Sequence, residues 1–486
     1  MARMMTLVDG KHDSVGIEWV KTRASRPKGL EALFELERMV LRRGRRCGAD
    51  AVDKGGLSAP PRDDREPEIV IDFTGTERDA TSSARLYLRP LYNGRAGENA
   101  ALAAILAGDL PRIEIRNEIS GEILDAGRPS AETAYGLSGA LDTVMARTMT
   151  LLKAILSGKP RLFQRQVDGS GPTDPSSPAS YVFLGLAHAI AKHIYRLCCY
   201  APHWHIGWRY TDDAGIWSSR DLSGSPWAVI ADPGHRFYAD PFPVTWQGRT
   251  FVFFEDLDHR VGKGIISAIE FDGTRPRGAV TPVLEEPWHL SYPFLIERDG
   301  VLWMIPESAE KRDVVLYRCV AFPGKWERHS TLLTGLELSD ATIVRHNDRH
   351  YLFGATRDGG GGYSDTLSIF HAKHLFGPWL PHAGNPIMLD RSSARPAGNF
   401  FNINGQLWRP VQDCSDGYGA ALGLAEIAEL SPTSFKQTVR HMLRPGSQWP
   451  ARKLHTLNRC GRLEVIDGTR IQPKIAALRP LINMIA

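Results

Sequence analysis

In the second half of the chain the hydrophobic positions fall in short aromatic runs, each set off by a polar turn. The runs are Thr250-Phe251-Val252-Phe253-Phe254, Val301-Leu302-Trp303-Met304-Ile305, His350-Tyr351-Leu352-Phe353 and Gln406-Leu407-Trp408-Arg409. The turns before them are Gln247-Gly248, Asp299-Gly300, Asp348-Arg349 and Asn404-Gly405. Ahead of each turn stands a tetrad: Ala239-Asp240-Pro241-Phe242, Ser291-Tyr292-Pro293-Phe294, Ser339-Asp340-Ala341-Thr342 and Ala394-Arg395-Pro396-Ala397. Asp240, Tyr292, Asp340 and Arg395 lie 52, 48 and 55 residues apart. Self-similarity at this period predicts a radially repeated β-sheet fold, a propeller. A fifth unit is marked by His455-Thr456-Leu457 and Leu463-Glu464-Val465-Ile466-Asp467-Gly468. Its remaining strands are expected from His203 to Tyr210 and Trp227 to Ile230, so that N- and C-terminal segments pair and close the ring without exposed edges.

The first half has a different rhythm. Glu68 to Phe73 is a short buried-strand candidate, and Arg112 to Ile119 alternates as a strand does. Glu98 to Ala107 predicts a helix stopped by Gly108. Ser138 to Leu156 predicts a longer one, with Leu141, Val144, Met145, Met149, Leu152 and Ile155 on one face. Gly158 to Ser180 is rich in Gly, Pro and Ser and reads as a linker. Tyr181 to Tyr200 is apolar but interrupted by His188, Lys192, His193 and Arg196. It reads as an amphipathic packing helix, with a weak membrane-surface contact as the alternative. The expected architecture is multidomain, α/β followed by all-β. An α/β domain spans 1–157, a linker with its helix 158–202, a five-bladed β-propeller 203–470 and a tail 471–486.

Composition narrows the function classes. The chain has 486 residues, too many for one core, and a net charge of +4 with no long basic run, so nucleic acid is not an expected partner. Six cysteines without metal-type spacing predict reduced thiols and a cytoplasmic protein. Gly359-Gly360-Gly361-Gly362 reads as a flexible hairpin tip, because it lacks the strand-to-helix context of a phosphate cradle. His203-Trp204-His205 has metal-like spacing without a third ligand nearby and reads as structural. No cofactor or metal is called for.

Seven residues after Gly248, Gly300, Arg349 and Gly405 come Glu255, Glu307, Thr356 and Gln412. Each unit thus offers a tetrad residue and a polar residue at the end of its second strand. In a propeller such positions converge, giving a ring of Asp240, Tyr292, Asp340, Arg395 and His455 with Glu255 and Glu307 beside it. Clustered carboxylates cannot all ionise at ordinary pKa, and a split pair is what glycosyl transfer requires. Repeat-aligned acids also cap strands, so a purely structural ring stands beside this reading.

Two resemblances follow. Leu88 to Asn99 and Gly121 to Gly127 resemble the formyltransferase family, placing Asp125 on its catalytic carboxylate. The family's Asn-x-His pair is missing from Ser82 to Leu88, so a degenerate domain with Asp125 as a turn residue is expected; an amino-sugar formyltransferase is the alternative. Phe237 to Phe242, Glu286 to Phe294, Met304 to Ser308, Ala394 to Gly398 and Arg409 to Cys414 resemble a second family. This is the propeller module of glucosamine inositolphosphorylceramide transferases, similar in turn to five-bladed glycoside hydrolases. The resemblance implies Asp240 as base or nucleophile, Glu307 as acid and Asp340 as tuner, with Glu255, Tyr292, Arg395, Gln412 and His455 binding substrate. It implies a sugar, sugar-nucleotide or glycolipid partner and a place in surface glycan or glycolipid biosynthesis. The plant enzymes carry a separate glycosyltransferase domain that this sequence does not show. A non-catalytic glycan-binding scaffold is the rival.

Overall fold

The computed structural model describes residues 28–41, 67–75, 84–132, 134–159, 177–357 and 360–475. It divides into two compact units, the first up to Ala187 with residues 358–362 and 388–390, the second formed by the rest.

The first unit is α/β. Strands β1 (Ile69–Ile71), β2 (Leu86–Tyr92), β4 (Ile113–Asn117) and β5 (Ile123–Gly127) lie in that order, with the short β3 (Arg95–Ala96) paired to β2. The β1–β2 pair is parallel, and β2–β4 and β4–β5 are antiparallel. Helices α1 (Leu30–Val40), α2 (Glu98–Leu106) and α3 (Gly136–Leu156) complete it. Leu88, Ile113, Ile115, Leu102, Ile105, Leu141, Val144 and Leu152 meet in one core. The alternating strand and the two long helices match their sequence pattern. Helix α1 and strand β2 had no such signal, because Arg89 and Pro90 break the apolar run of β2. Arg89 is nevertheless buried, 2.7 Å from Asp72. Glu37 on α1 caps α3 from a distance, accepting the Leu137 and Ser138 N–H groups at 2.8 Å each.

Three expectations are corrected in or beside this unit. Asp125 is a buried strand residue facing Ile115 rather than a turn residue. The glycine tip is packed, not loose: Arg147 Nη2 donates to the Gly362 carbonyl at 3.0 Å, and a Cβ on Gly361 would lie 2.0 Å from Arg147 Cζ. Helix α4 (Pro178–Cys198) buries none of its residues, so it is not the packing helix its periodicity suggested. The centre of the proposed linker, 160–176, and residues 82–83 of the stretch that lacks the formyltransferase pair lie outside the described residues.

Among the described residues the second unit contains five blades, each built on a path of four strands, and a separate two-stranded pair. From the inside outward, blade one is Arg236–Trp246, Arg249–Asp258, Lys263–Phe271 and Pro276–Leu284. Blade two is Ser291–Arg298, Val301–Glu307, Asp313–Ala321 and Lys325–Thr334. Blade three begins with Glu337–His346 and Arg349–Arg357 and continues with Thr366–Ala372 and Leu380–Pro381. Blade four is Phe401–Ile403, Gln406–Asp413, Ala421–Leu430 and Phe435–Leu443. Blade five joins Leu457–Cys460 and Leu463–Thr469 to Trp204–Tyr210 and Ala228–Val229. Leu463 to Thr469 pairs antiparallel with Tyr210 to Trp204, which is the ring closure expected from the sequence. The aromatic runs form second strands and fill the spaces between sheets, as with Phe251, Phe253, Leu302 and Met304 in one shared core.

Candidate active site

The tetrads lie on, or just before, the innermost strands. Asp240, Tyr292 and Asp340 share a left-handed backbone, with φ of 51°, 43° and 58°. Each sits at a register slip, between Phe253 and Glu255, between Ser291 and Phe294, and between Ser339 and Thr342. A bulge re-aims a side chain, and a left-handed non-glycine residue costs about 1–3 kcal/mol. Three blades repeat this cost at the same place. The kinks send the side chains towards neighbouring blades.

One cluster is built on Asp340. Arg395 Nε donates to its Oδ2 at 2.5 Å and Nη2 to its Oδ1 at 3.3 Å. Gln412 Nε2 donates to Oδ2 at 3.2 Å and to the Pro396 carbonyl at 3.1 Å. Arg395 also stands 3.8 Å from Glu307, whose Oε2 accepts the Asp340 N–H at 3.2 Å. Tyr418 covers the guanidinium, 4.9 Å from ring centre to Cζ.

The second cluster is built on Asp240. Its Oδ1 accepts from the Thr456 hydroxyl at 2.9 Å and lies 3.5 Å from His455 Nε2. Behind it, Asp467 contacts His455 Nδ1 at 2.7 Å and accepts the backbone N–H groups of Asp240, His455 and Thr456 at 2.9, 3.2 and 3.0 Å. Trp204 stacks on His455 with ring centroids 3.9 Å apart. Glu255 is paired with His289 at 3.2 Å.

Tyr292 is wholly buried, and its hydroxyl is engaged within the protein. It accepts the Gly398 N–H at 2.7 Å and shares a hydrogen bond with Thr342 at 2.9 Å, tying together blades two, three and four. Asp240, Asp340, Gln412 and His455 are also buried, while the Glu307 side chain is 15% exposed and that of His289 34%. The ring is therefore most open on the Glu307 and His289 side.

The electrostatics separate these groups. Burial raises the Asp240 carboxyl to about 7; His455 opposes the shift, and Asp467, Glu255 and Asp340 add to it. Burial, reinforced by the Asp340 charge, holds Glu307 well above the usual carboxylate range against the pull of Arg395. Burial would lower His455, but Asp467 and Asp240 outweigh it and raise it. His289 likewise overcomes its burial through Glu255 and reaches about 9. The ring thus holds protonatable carboxyls beside imidazolium and guanidinium groups, an arrangement suited to acid–base chemistry near neutral pH.

Asp240, His455 and Asp467 are close enough to share a cation. The Asp467 oxygens already accept N–H groups, however, and His455 Nδ1 is directed at Asp467. That leaves Asp240 and His455 Nε2 as an incomplete ligand set. His203 stands beside His259 and Asp232, at 3.2 and 3.3 Å, away from this group. Four neighbours of the ring had not been picked out from sequence: Asp467, Thr456, Tyr418 and His289. Asp467 alone carried a signal, as a charge ending the apolar strand Leu463–Ile466.

Residues 227–465 match the family model described as "Glucosamine inositolphosphorylceramide transferase 1, N-terminal". The chain is similar to glucosamine inositolphosphorylceramide transferase 1 of Arabidopsis thaliana, 34% identical over 206 residues, covering 42% of this chain and 27% of the relative. It is 30% identical over 251 residues to the protein of that name from Oryza sativa subsp. japonica, covering 49% and 34% respectively. The chain thus spans about a third or less of the length of these curated relatives. Among solved structures, a thermostable family-43 glycoside hydrolase aligns with a TM-score of 0.33 at 11% identity, over 44% of this chain and 78% of that one. A family 117 glycoside hydrolase from Zobellia galactanivorans aligns with a TM-score of 0.35 at 13% identity, over 51% and 78%. The family-model match and the plant relatives bear out the resemblance carried by the propeller motifs.

Proposed function

We propose that the propeller is a carbohydrate-active module that transfers or hydrolyses a glycosyl unit at its funnel. Asp240 serves as base or nucleophile, Glu307 as acid and Asp340 as the tuning carboxylate held by Arg395. The observation that carries this reading is the pair of raised carboxyls in one ring, Asp240 at about 7 and Glu307 well above its usual range. A carboxyl near neutrality can accept a proton, and one that burial holds well above its usual range favours the protonated form that can donate. His455, Glu255, Arg395, Gln412 and Tyr292 then shape the site, the last two by fixing the others rather than by offering free polar atoms.

The substrate class is a sugar, sugar nucleotide or glycolipid. The name of the relatives, a transferase of glucosamine and inositolphosphorylceramide, supports the glycolipid end of that range. The reading extends to surface glycan or glycolipid biosynthesis in the cytoplasm.

A panel of nucleotide sugars and aryl glycosides is assayed with the unsubstituted chain, Asp240→Asn and Glu307→Gln. Loss of either group is expected to lower turnover roughly 10²–10⁴-fold. Turnover unchanged in both variants would sink the assignment.

A second reading is favoured by one observation: Asp340, Arg395 and Gln412 satisfy one another, and the Tyr292 hydroxyl is taken up by Gly398 and Thr342. A glycan-binding scaffold needs no more than such a rigid floor. It predicts sugar binding without turnover, retained in Glu307→Gln. The formyl-transfer alternative has no comparable support, since Asp125 is buried in a strand with Oδ1 accepting the Ala126 N–H at 2.8 Å.

A further inference from the structure

Helix α4 has 21 residues, and none of them is buried. Tyr181, near its start, packs against the first unit's core, and the apolar side chains beyond it are uncovered. Phe183 is 72% exposed, Leu197 62% and Ile190 52%, with Leu184, Leu186 and Ile194 comparably open. At about 100° per residue, Leu186, Leu197, Ile190, Phe183 and Ile194 fall on one continuous arc. His188, Lys192 and Arg196 fall on the opposite side. The helix contains no acidic residue. Exposed Lys474 adds a further cation, donating to the Arg196 carbonyl at 2.6 Å.

We propose that α4 docks the protein on an anionic lipid surface, lying in the interface with the Phe183–Ile190–Ile194–Leu197 arc in the acyl boundary and Lys192, Arg196 and Lys474 among the headgroups. An apolar arc backed by a face that carries Lys192 and Arg196 and no acid is the pattern of an interfacial helix, and its affinity combines buried apolar area with attraction to anionic lipid. No described helix is long and apolar enough to cross a membrane. A second copy of the chain seated on the same arc would bury the apolar residues but bring no opposite charge to Lys192 and Arg196. An anionic bilayer answers both faces. The inference stands on this helix alone and does not depend on the chemistry of the propeller.

The test is flotation of the full chain with phosphatidylcholine vesicles and with equimolar phosphatidylcholine–phosphatidylserine vesicles. The chain is expected to float with the anionic vesicles and to be released by salt. Phe183→Glu with Ile190→Glu should lower partitioning roughly a hundredfold. Lys192→Glu with Arg196→Glu should lower it about tenfold or more. All four side chains are exposed or half-buried, so an unchanged melting curve is expected, and the two variants check each other. Wild-type protein that ignores anionic vesicles overturns the proposal. So does flotation unaffected by both double substitutions, or a dimer in sedimentation that Phe183→Glu with Ile190→Glu dissolves.

Discussion

Replacing Arg395 with Met removes the only cation that touches both Asp340 and Glu307 among the described residues. The variant keeps most of the side-chain volume but leaves Asp340, whose side chain is 3% exposed, with Gln412 as its remaining side-chain donor. Breaking a buried pair from one side strands the other charge, at a cost of about 3–5 kcal/mol. Protonation of the orphaned carboxyl limits that cost, so the loss should shrink on acidification. Adding Asp340→Leu removes the orphan itself. The double variant should recover at least half of the loss, a coupling on the order of 2–3 kcal/mol. Eleven of the twelve tryptophans lie between Trp204 and Trp449, so tryptophan fluorescence in a urea titration reports the propeller almost alone. A single-variant loss below about 1 kcal/mol, or a double variant no more stable than the single, would refute a paired, desolvated origin for this cluster.

Further outcomes can be checked in the same way. Because native Asp240 keeps its proton up to about 7, against 3.8 ordinarily, it binds more protons than the unfolded chain between those values, and its contribution to stability falls as pH rises through them. His205 and His259, held down to about 4 by burial, act with the opposite sign, so the readout is the difference in pH slope between wild type and Asp240→Asn. An identical slope in the two would contradict the raised carboxyl. His289, raised from 6.5 to about 9, contributes stability that is full below 6.5 and lost through 9; His289→Asn should flatten that limb of the urea-midpoint profile. Asp467→Asn turns an amide donor towards backbone N–H groups and should cost about 2–4 kcal/mol in the same titration. Gly398→Ala places a Cβ 2.1 Å from the Leu457 carbonyl at a φ of 135° and should cost about 2–4 kcal/mol, measured by thermal melting. Glu37→Ala should lower the stability of the first unit by about 1–2 kcal/mol, read as faster amide exchange at Leu137 and Ser138.

By itself the sequence determined the blade repeat, its period, the pairing of the closing blade and which tetrad positions are equivalent. Those features depend on local alternation and on repeated turns, and both are written within a few neighbouring residues. Asp240, Asp340, Arg395 and His455 could be aligned because equivalent strand positions must converge. Which of them pair was decided only in three dimensions. Arg395 reaches back across a blade to Asp340, and Asp467 gathers donors more than 200 residues away in Asp240, through contacts no spacing encodes. The bulges that turn Asp240, Tyr292 and Asp340 inward depend on register with a partner strand. Tyr292 looked like a binding residue until its hydroxyl was found between Gly398 and Thr342. Helix α4 shows the same boundary: its periodicity guaranteed an apolar face, but only the tertiary structure left that face uncovered. Sequence patterns fix which side chains share a surface, whereas the free energy of a charge or an apolar arc depends on what the fold brings against it.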